Sequence, residues 1–154
     1  MYSSRKILII TSCTAKKLKD EAPAKYLYQG VLFKKIKKLV DYNKLDFKIL
    51  SAKYGLLNAN QIIKPYDKTV KCKEDILRLR KKVIPELKAL EDKYDLIVLI
   101  MGKKYREVIK PLYNNKYRMI YDSKGIGGLI SRINSYSRKP FDTMLNDLEL
   151  CSLY

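Results

Sequence analysis

Four short runs of continuous apolar residues predict buried β-strands. They span residues 6–12 (KILIITS), 46–51 (DFKILS), 94–101 (YDLIVLIM) and 116–121 (KYRMIY). Continuous rather than alternating apolarity is typical of strands that are covered on both faces, as in a parallel sheet. Each run is far shorter than the roughly 20 apolar residues of a membrane span, so no membrane association is expected.

Between and after these runs, apolar residues recur at helical spacing. The predicted helices cover residues 27–42, 74–92, 104–113, 125–136 and 140–150. Lysines fill the polar face of the first helix. Pro85 predicts a kink or a restart in the second helix, and Pro140 fits the first turn of the last one. The segments 11–25 and 56–69 predict loops.

Strand and helix alternate four times along the chain. This order predicts an α/β protein: a three-layer α/β/α fold with a mainly parallel sheet of about four strands. A length of 154 residues suits a single domain over 1–154, with the C-terminal amphipathic helix 140–151 packed on it. Ligands of such sheets bind outside the carboxyl ends of the strands, so the loops that follow the strands are the places to search for a site.

The charge of the chain indicates the kind of partner. Lys and Arg number 33 against 16 Asp and Glu, and the formal net charge is +17. Such an excess attracts polyanions, which favours DNA, RNA or a nucleotide as the partner. Two other readings stay open: an A+T-rich coding sequence inflates lysine, and heat adaptation enriches it, although usually with matching Glu.

Several classes of chemistry are disfavoured by what the chain lacks. It contains no histidine, and its three cysteines (13, 72 and 151) form no CxxC pair, so neither a zinc site nor a disulfide framework is expected. No metal or other cofactor is predicted. Acid–base catalysis would therefore fall to Asp, Glu, Lys, Tyr or Cys. The short apolar run after the N-terminus is not a signal peptide, and a cytoplasmic location is expected.

The loop after the first strand combines small residues with positive charge. Ser12 and the residues after it let backbone amides approach a ligand, and Lys16 and Lys17 add charge. Cys13 is a candidate nucleophile if neighbouring cations activate its thiol. The alternatives are that Cys13 lines a binding pocket, or that it is a small buried residue at the end of a strand.

The loop after the second strand reads SAKYGLL. Gly55 is expected to adopt a positive φ that turns the chain. Lys53 is then placed to meet a phosphate and Tyr54 to stack on a base. The alternative is a purely structural turn in which Tyr54 packs against a helix.

The segment 63–69 contains the best carboxylate candidate of the chain. Asp67 lies between Tyr66 and two lysines, and it could activate water, stabilise a developing oxocarbenium ion or hold a ribose hydroxyl. The local sequence alone favours a plainer role, in which Asp67 caps a turn.

Two further loops each follow a strand and open a helix. One carries Gly102 and Tyr105, and the other carries Ser123, Lys124 and Gly125. Free amides at helix N-termini bind anions, and Lys124 would reinforce such a site. Neither loop has the pattern of a Walker loop or a dinucleotide fingerprint. Close packing of a helix on the sheet is the alternative explanation.

Taken together, these loops resemble the DUF6884 family. The resemblance is carried by SCTAKK (12–17), LY (27–28), LSAKYGLL (50–57), PYDKT (65–69), GKKY (102–105) and GIG (125–127). The layout is also similar to the uracil-DNA-glycosylase-like α/β/α fold and to the YaaA-type peroxide-stress proteins, which are linked to DNA. A typical uracil-DNA glycosylase has a histidine motif and a GxxPG-type loop, and this chain has neither, so classical uracil excision is not implied.

By motif position, the resemblance implies a common site for the following residues: Cys13, Lys16, Lys53, Tyr54, Asp67, Gly102, Tyr105 and Gly125. The first hypothesis is an enzyme acting on a nucleobase or nucleoside, by N-glycosidic cleavage or by base or ribosyl transfer. Asp67 would support the reacting sugar or water, and Lys53 and Lys16 would hold phosphate. The second is a basic DNA- or RNA-binding protein without catalysis, and the third is an adaptor whose charge reflects composition alone.

Overall fold

The centre of the structure is a mixed, mostly parallel sheet. The computed structural model describes residues 6–13, 17–120, 124, 126–136 and 149–150. Within them the strands are β1 (Ile7–Ser12), β2 (Ala22–Pro23), β3 (Asp46–Ser51), β4 (Gly55–Asn58), β5 (Ile62–Ile63), β6 (Leu96–Ile100), β7 (Tyr117–Met119) and β8 (Glu149–Leu150). The main sheet has the order β4-β3-β1-β6-β7-β8, and β2 and β5 form a separate pair.

Helices cover both faces of this sheet. They are α1 (Ala24–Leu27), α2 (Val31–Asn43), α3 (Lys73–Glu91), α4 (Lys103–Ile109) and α5 (Ile126–Tyr136), with a 3-10 turn at Lys110–Leu112. None of the helices in the described ranges is both long and apolar enough to cross a membrane.

Two apolar clusters on opposite faces hold the three layers together. Successive residues of a strand point to opposite faces, so Leu8 and Ile10 of β1 enter one cluster while Ile7 and Ile9 enter the other. The first cluster contains buried residues of α3 and α4, and the second contains buried residues of α2 and α5. The predicted α/β/α arrangement is therefore confirmed.

The four predicted strands are confirmed, and their pairing is parallel. β1 pairs with β3 on one side and with β6 on the other, and β6 pairs with β7. The prediction of a loop over 56–69 is wrong in part, because this segment contains most of β4 and all of β5. Gly55 has the expected positive φ, at 80°. It reverses the chain so that β4 returns antiparallel to β3.

The predicted helix over 27–42 is interrupted. Tyr28 is extended and forms an isolated bridge with Lys17, so α1 ends before it and α2 begins after Gly30. In contrast, Pro85 lies inside a single helix, α3, which runs from Lys73 to Glu91 without a restart.

Most of the predicted C-terminal helix 140–150 lies outside the described residues. Its last two positions, Glu149 and Leu150, form β8 instead, antiparallel to β7. For these two residues the helix prediction is wrong, because they supply backbone partners to an edge of β7 that would otherwise be open. The packing of residues 140–148 on the domain stays a prediction.

Candidate functional site

The carboxyl ends of β1, β3 and β6 lie side by side, because these strands are parallel neighbours. They bring Cys13, Ser51 and the segment Gly102–Tyr105 to one edge of the sheet. The backbone amide of Cys13 donates to the carbonyl of Leu50 at 2.9 Å, which ties the first loop to the end of β3. The expected ligand-binding edge of the sheet is therefore populated by polar side chains from several loops.

Ser51 is fully buried and anchors a directed chain of hydroxyl groups. Its Oγ accepts hydrogen bonds from the backbone amides of Lys53 (3.2 Å) and Tyr54 (3.0 Å). Both lone pairs are then used, so the Ser51 hydroxyl hydrogen is donated to the Tyr66 hydroxyl at 2.6 Å. The Tyr66 hydroxyl can in turn donate to Tyr28, also at 2.6 Å.

A second contact pair lies at the end of β6. The Tyr105 hydroxyl is 3.3 Å from the Cys13 sulfur and accepts a hydrogen bond from the backbone amide of Val70, also at 3.3 Å. Cys13 is buried. We call Cys13, Tyr28, Ser51, Tyr66 and Tyr105 the hydroxyl cluster, although one member is a thiol.

Lysine ammonium groups lie over the aromatic rings at this edge. The Nζ atom of Lys17 is 4.5 Å from the ring centre of Tyr66 and 5.7 Å from that of Tyr28. The Nζ atom of Lys53 is 5.2 Å from the Tyr54 ring, which meets the Tyr66 ring edge-on at 5.3 Å. Such cation–π contacts hold positive charge close to the cluster.

The tyrosines of the hydroxyl cluster resist ionisation. Burial raises the pKa of Tyr28 to about 12. The pKa of Tyr66 and that of Tyr105 both lie above the ordinary value of about 10. The larger cause is burial, and the second is the negative charge that Cys13 can carry. These groups are therefore neutral hydroxyls at physiological pH and can act as hydrogen-bond donors.

The raised pKa of Tyr28 predicts a loss of stability in alkali. Above about pH 10 the unfolded chain releases the tyrosine proton while the folded chain keeps it, so the free energy of unfolding falls as the pH rises from about 10 to about 12. Urea unfolding across this range, compared between the wild type and Tyr28→Phe, measures the effect. We expect a shallower fall in the variant, whereas Tyr42→Phe, at a 53% exposed ring, should behave as the wild type. Identical slopes in all three proteins would contradict this prediction.

Some of the residues predicted from the sequence lie together at the hydroxyl cluster, and others are half-buried or exposed elsewhere at this edge of the sheet. Tyr54, Tyr66, Tyr105, Cys13 and Lys17 come together at the hydroxyl cluster. Ser12 is half-buried at the end of β1, and Lys53 is exposed beside Tyr54. Gly102 is exposed, and a side chain there would meet nothing within 4 Å, so the backbone is open to approach.

Asp67 directly follows Tyr66 and is exposed. Its carboxylate forms no hydrogen bond or ion pair within the described part of the chain. Lys124 is exposed as well, and Lys16, Ser123 and Gly125 lie outside the described residues. The roles assigned to these residues stay predictions.

The sequence analysis did not select Ser51 or Tyr28 as site residues. Ser51 could have been found, since it is a polar residue at the carboxyl end of a buried strand. Tyr28 belongs to the LY motif (27–28) of the family resemblance, but its hydrogen bond to Tyr66 forms only through the tertiary fold and could not be predicted. As for metals, the ranges that the structure describes contain no group of three or more Cys, Asp or Glu side chains able to hold an ion.

Fold and site define a three-layer α/β protein whose candidate site lies at the carboxyl ends of three neighbouring parallel strands. Residues 7–135 match DUF6884, a family of unknown function, and the chain belongs to this family. A comparison with curated proteins finds no match. The match spans every member of the hydroxyl cluster, so the family assignment and the candidate site concern the same part of the chain.

Proposed function

We propose that this protein binds a nucleotide or a nucleic-acid base at the hydroxyl cluster and cleaves or exchanges its N-glycosidic bond. The observation that carries the proposal is the convergence of Cys13, Ser51, Tyr66 and Tyr105 at the strand ends, under the charge of Lys17. Ligands of such sheets bind outside the carboxyl ends of the strands, in pockets where a few polar groups converge.

The chemistry of the cluster fits a nucleobase. Neutral tyrosine hydroxyls donate to ring carbonyls and nitrogens, and a half-buried ring such as that of Tyr54 offers a stacking surface. Lys17 and Lys53 supply positive charge for a phosphate group within reach of the same rings. Base and phosphate would thus each meet a matching group.

In the proposed hydrolysis, Asp67 acts as the general base. It takes a proton from water, the water oxygen forms a bond to C1′ of the sugar, and the C1′–N bond breaks. The bonding electron pair leaves with the nucleobase, which is then protonated from solvent. In a transfer reaction, an incoming base or hydroxyl group takes the place of water. Exposure of Asp67 gives water direct access to its carboxylate.

The proposal is tested by measuring the release of free nucleobase. The purified protein is incubated with nucleosides, nucleotides and single-stranded oligonucleotides, and the products are separated by chromatography. Release or exchange of a base that depends on the protein is expected from at least one of these substrates. Absence of any released or exchanged base, in a preparation that binds the same oligonucleotides, would overturn the enzymatic proposal.

A second candidate function is nucleic-acid binding without catalysis. It is favoured by the position of Asp67, whose carboxylate contacts no member of the hydroxyl cluster in the described structure, and by the net charge of +17. Salt-dependent binding without base release would support this alternative.

A further inference from the structure

A groove beside the hydroxyl cluster is lined by cationic side chains. It has a volume of about 420 Å³ and lies between α3 and two loop segments, 52–53 and 68–70. The cationic side chains that line it are Lys53, Lys68, Arg78, Lys81 and Lys82. We call this feature the basic groove.

The positive charge of the basic groove is largely uncompensated. Among the described residues that line it, Asp75 is the one acidic residue, and its carboxylate accepts hydrogen bonds from the backbone amides of Lys71 (2.9 Å) and Cys72 (3.3 Å) at the start of α3. Arg78 approaches Asp75 only to 3.8 Å. Within the described residues no ion pair reaches Lys68, Lys81 or Lys82, so these ammonium groups are available to an anion.

The basic groove adjoins the candidate site through two of its lining segments. Lys53 and its neighbour in the lining, Ala52, follow Ser51 of the hydroxyl cluster. On the opposite wall, Val70 donates its backbone amide to Tyr105. Tyr66 and Tyr105 are the partly exposed members of the cluster, so a ligand whose base lies beside them can extend into the basic groove.

From this continuity we infer that the ligand is a single-stranded nucleic acid rather than a free nucleotide, and that its phosphate backbone lies in the basic groove. This inference rests on the proposed function and specifies its substrate. The volume of the groove, about 420 Å³, lies within the range of about 300–1,000 Å³ that is usual for ligand pockets. A base must also be unstacked before it can reach side chains at the strand ends. Tyr54, beside Lys53, offers stacking at the point where groove and site meet.

The inference is tested by a binding series with a matched pair of variants. Thymidine monophosphate, an oligothymidylate of about 12 nucleotides and a blunt duplex of the same length are titrated by fluorescence competition over a range of salt. We expect the oligomer to bind at least about 100-fold more tightly than the monophosphate. Lys81→Gln/Lys82→Gln should lower the slope of log affinity against log salt for the oligomer by about 1.4, since each phosphate contact contributes about 0.7.

Lys88→Gln/Lys93→Gln is the control, because it removes the same charge from exposed lysines outside the groove. It should leave the slope close to the wild-type value. Equal reductions by both pairs would overturn the basic groove as the binding track, and equal affinities for monophosphate and oligomer would overturn the inference of a strand. A duplex that binds as tightly as the single strand would do the same. If the oligomer binds as expected but no base is released, only the catalytic part of the proposed function fails.

Discussion

Asp67→Asn is expected to reduce base release by about 100- to 10,000-fold, which is the usual contribution of a general base. Asparagine keeps the size and polarity of the side chain but cannot take a proton from water. Asp67 is exposed and its carboxylate forms no hydrogen bond or ion pair within the described residues, so the variant should fold as the wild type does. Binding of an oligonucleotide should persist with a similar salt dependence. The substitution removes a negative charge and leaves every lysine and arginine that could contact a phosphate in place. Initial rates of base release and binding titrations on the same preparation measure the two effects.

The matched control is Asp92→Asn, at an exposed carboxylate that follows α3 near the amino ends of the strands. Its rate of base release should equal that of the wild type. An Asp67→Asn protein with unchanged rates would exclude Asp67 as the general base. The reaction would then have to depend on another group of the site, and the Cys13 thiol is the candidate nucleophile that the sequence analysis named there.

Ser51→Ala is expected to lower the free energy of unfolding by about 2–3 kcal/mol, because the buried groups that hydrogen-bond to the Ser51 hydroxyl lose their partner. The Ser51 Oγ atom accepts from two backbone amides and contacts Tyr66, and alanine satisfies none of these groups. Urea unfolding followed by far-UV circular dichroism measures the change. Ligand affinity should fall as well, since the amides of Lys53 and Tyr54 lose the contact that fixes their loop.

Ser135→Ala is the control for this prediction. The Ser135 Oγ atom also donates a hydrogen bond, to the Arg132 carbonyl at 2.6 Å, but it is exposed and water can replace the contact. Its effect should stay within about 0.5 kcal/mol. A similar small effect for Ser51→Ala would mean that the hydroxyl chain from Ser51 to Tyr28 contributes little to the fold.

The layered fold was predictable because its strands are buried on both faces. β6 is apolar at all five positions and β1 at its first four, a pattern typical of strands covered on both faces. The elements that were missed are short. β2 and β5 have two residues each, too few for any periodicity to appear, and their antiparallel pairing of Ala22 with Ile63 is purely tertiary.

The same limit applies to the candidate site. Cys13, Tyr54, Tyr66 and Tyr105 could be proposed because each follows a predicted strand or belongs to a recognisable loop. The hydrogen bond between Tyr28 and Tyr66 joins residues 38 positions apart, and it depends on the β2–β5 pairing that the sequence did not reveal. Likewise, the basic groove combines the face of a helix with two loops, and only the folded chain shows which lysines share it.

The central position of β1 also has a consequence for how the chain folds. Its two neighbours in the sheet arrive late: β3 begins at Asp46, and β6 begins only at Leu96. During synthesis, the first strand must therefore wait for about two thirds of the chain before it is covered on both edges. Such long-range parallel pairing slows folding. Cys13 meets Tyr105 only after β6 has docked, so the candidate site cannot be completed before the second edge of β1 is covered.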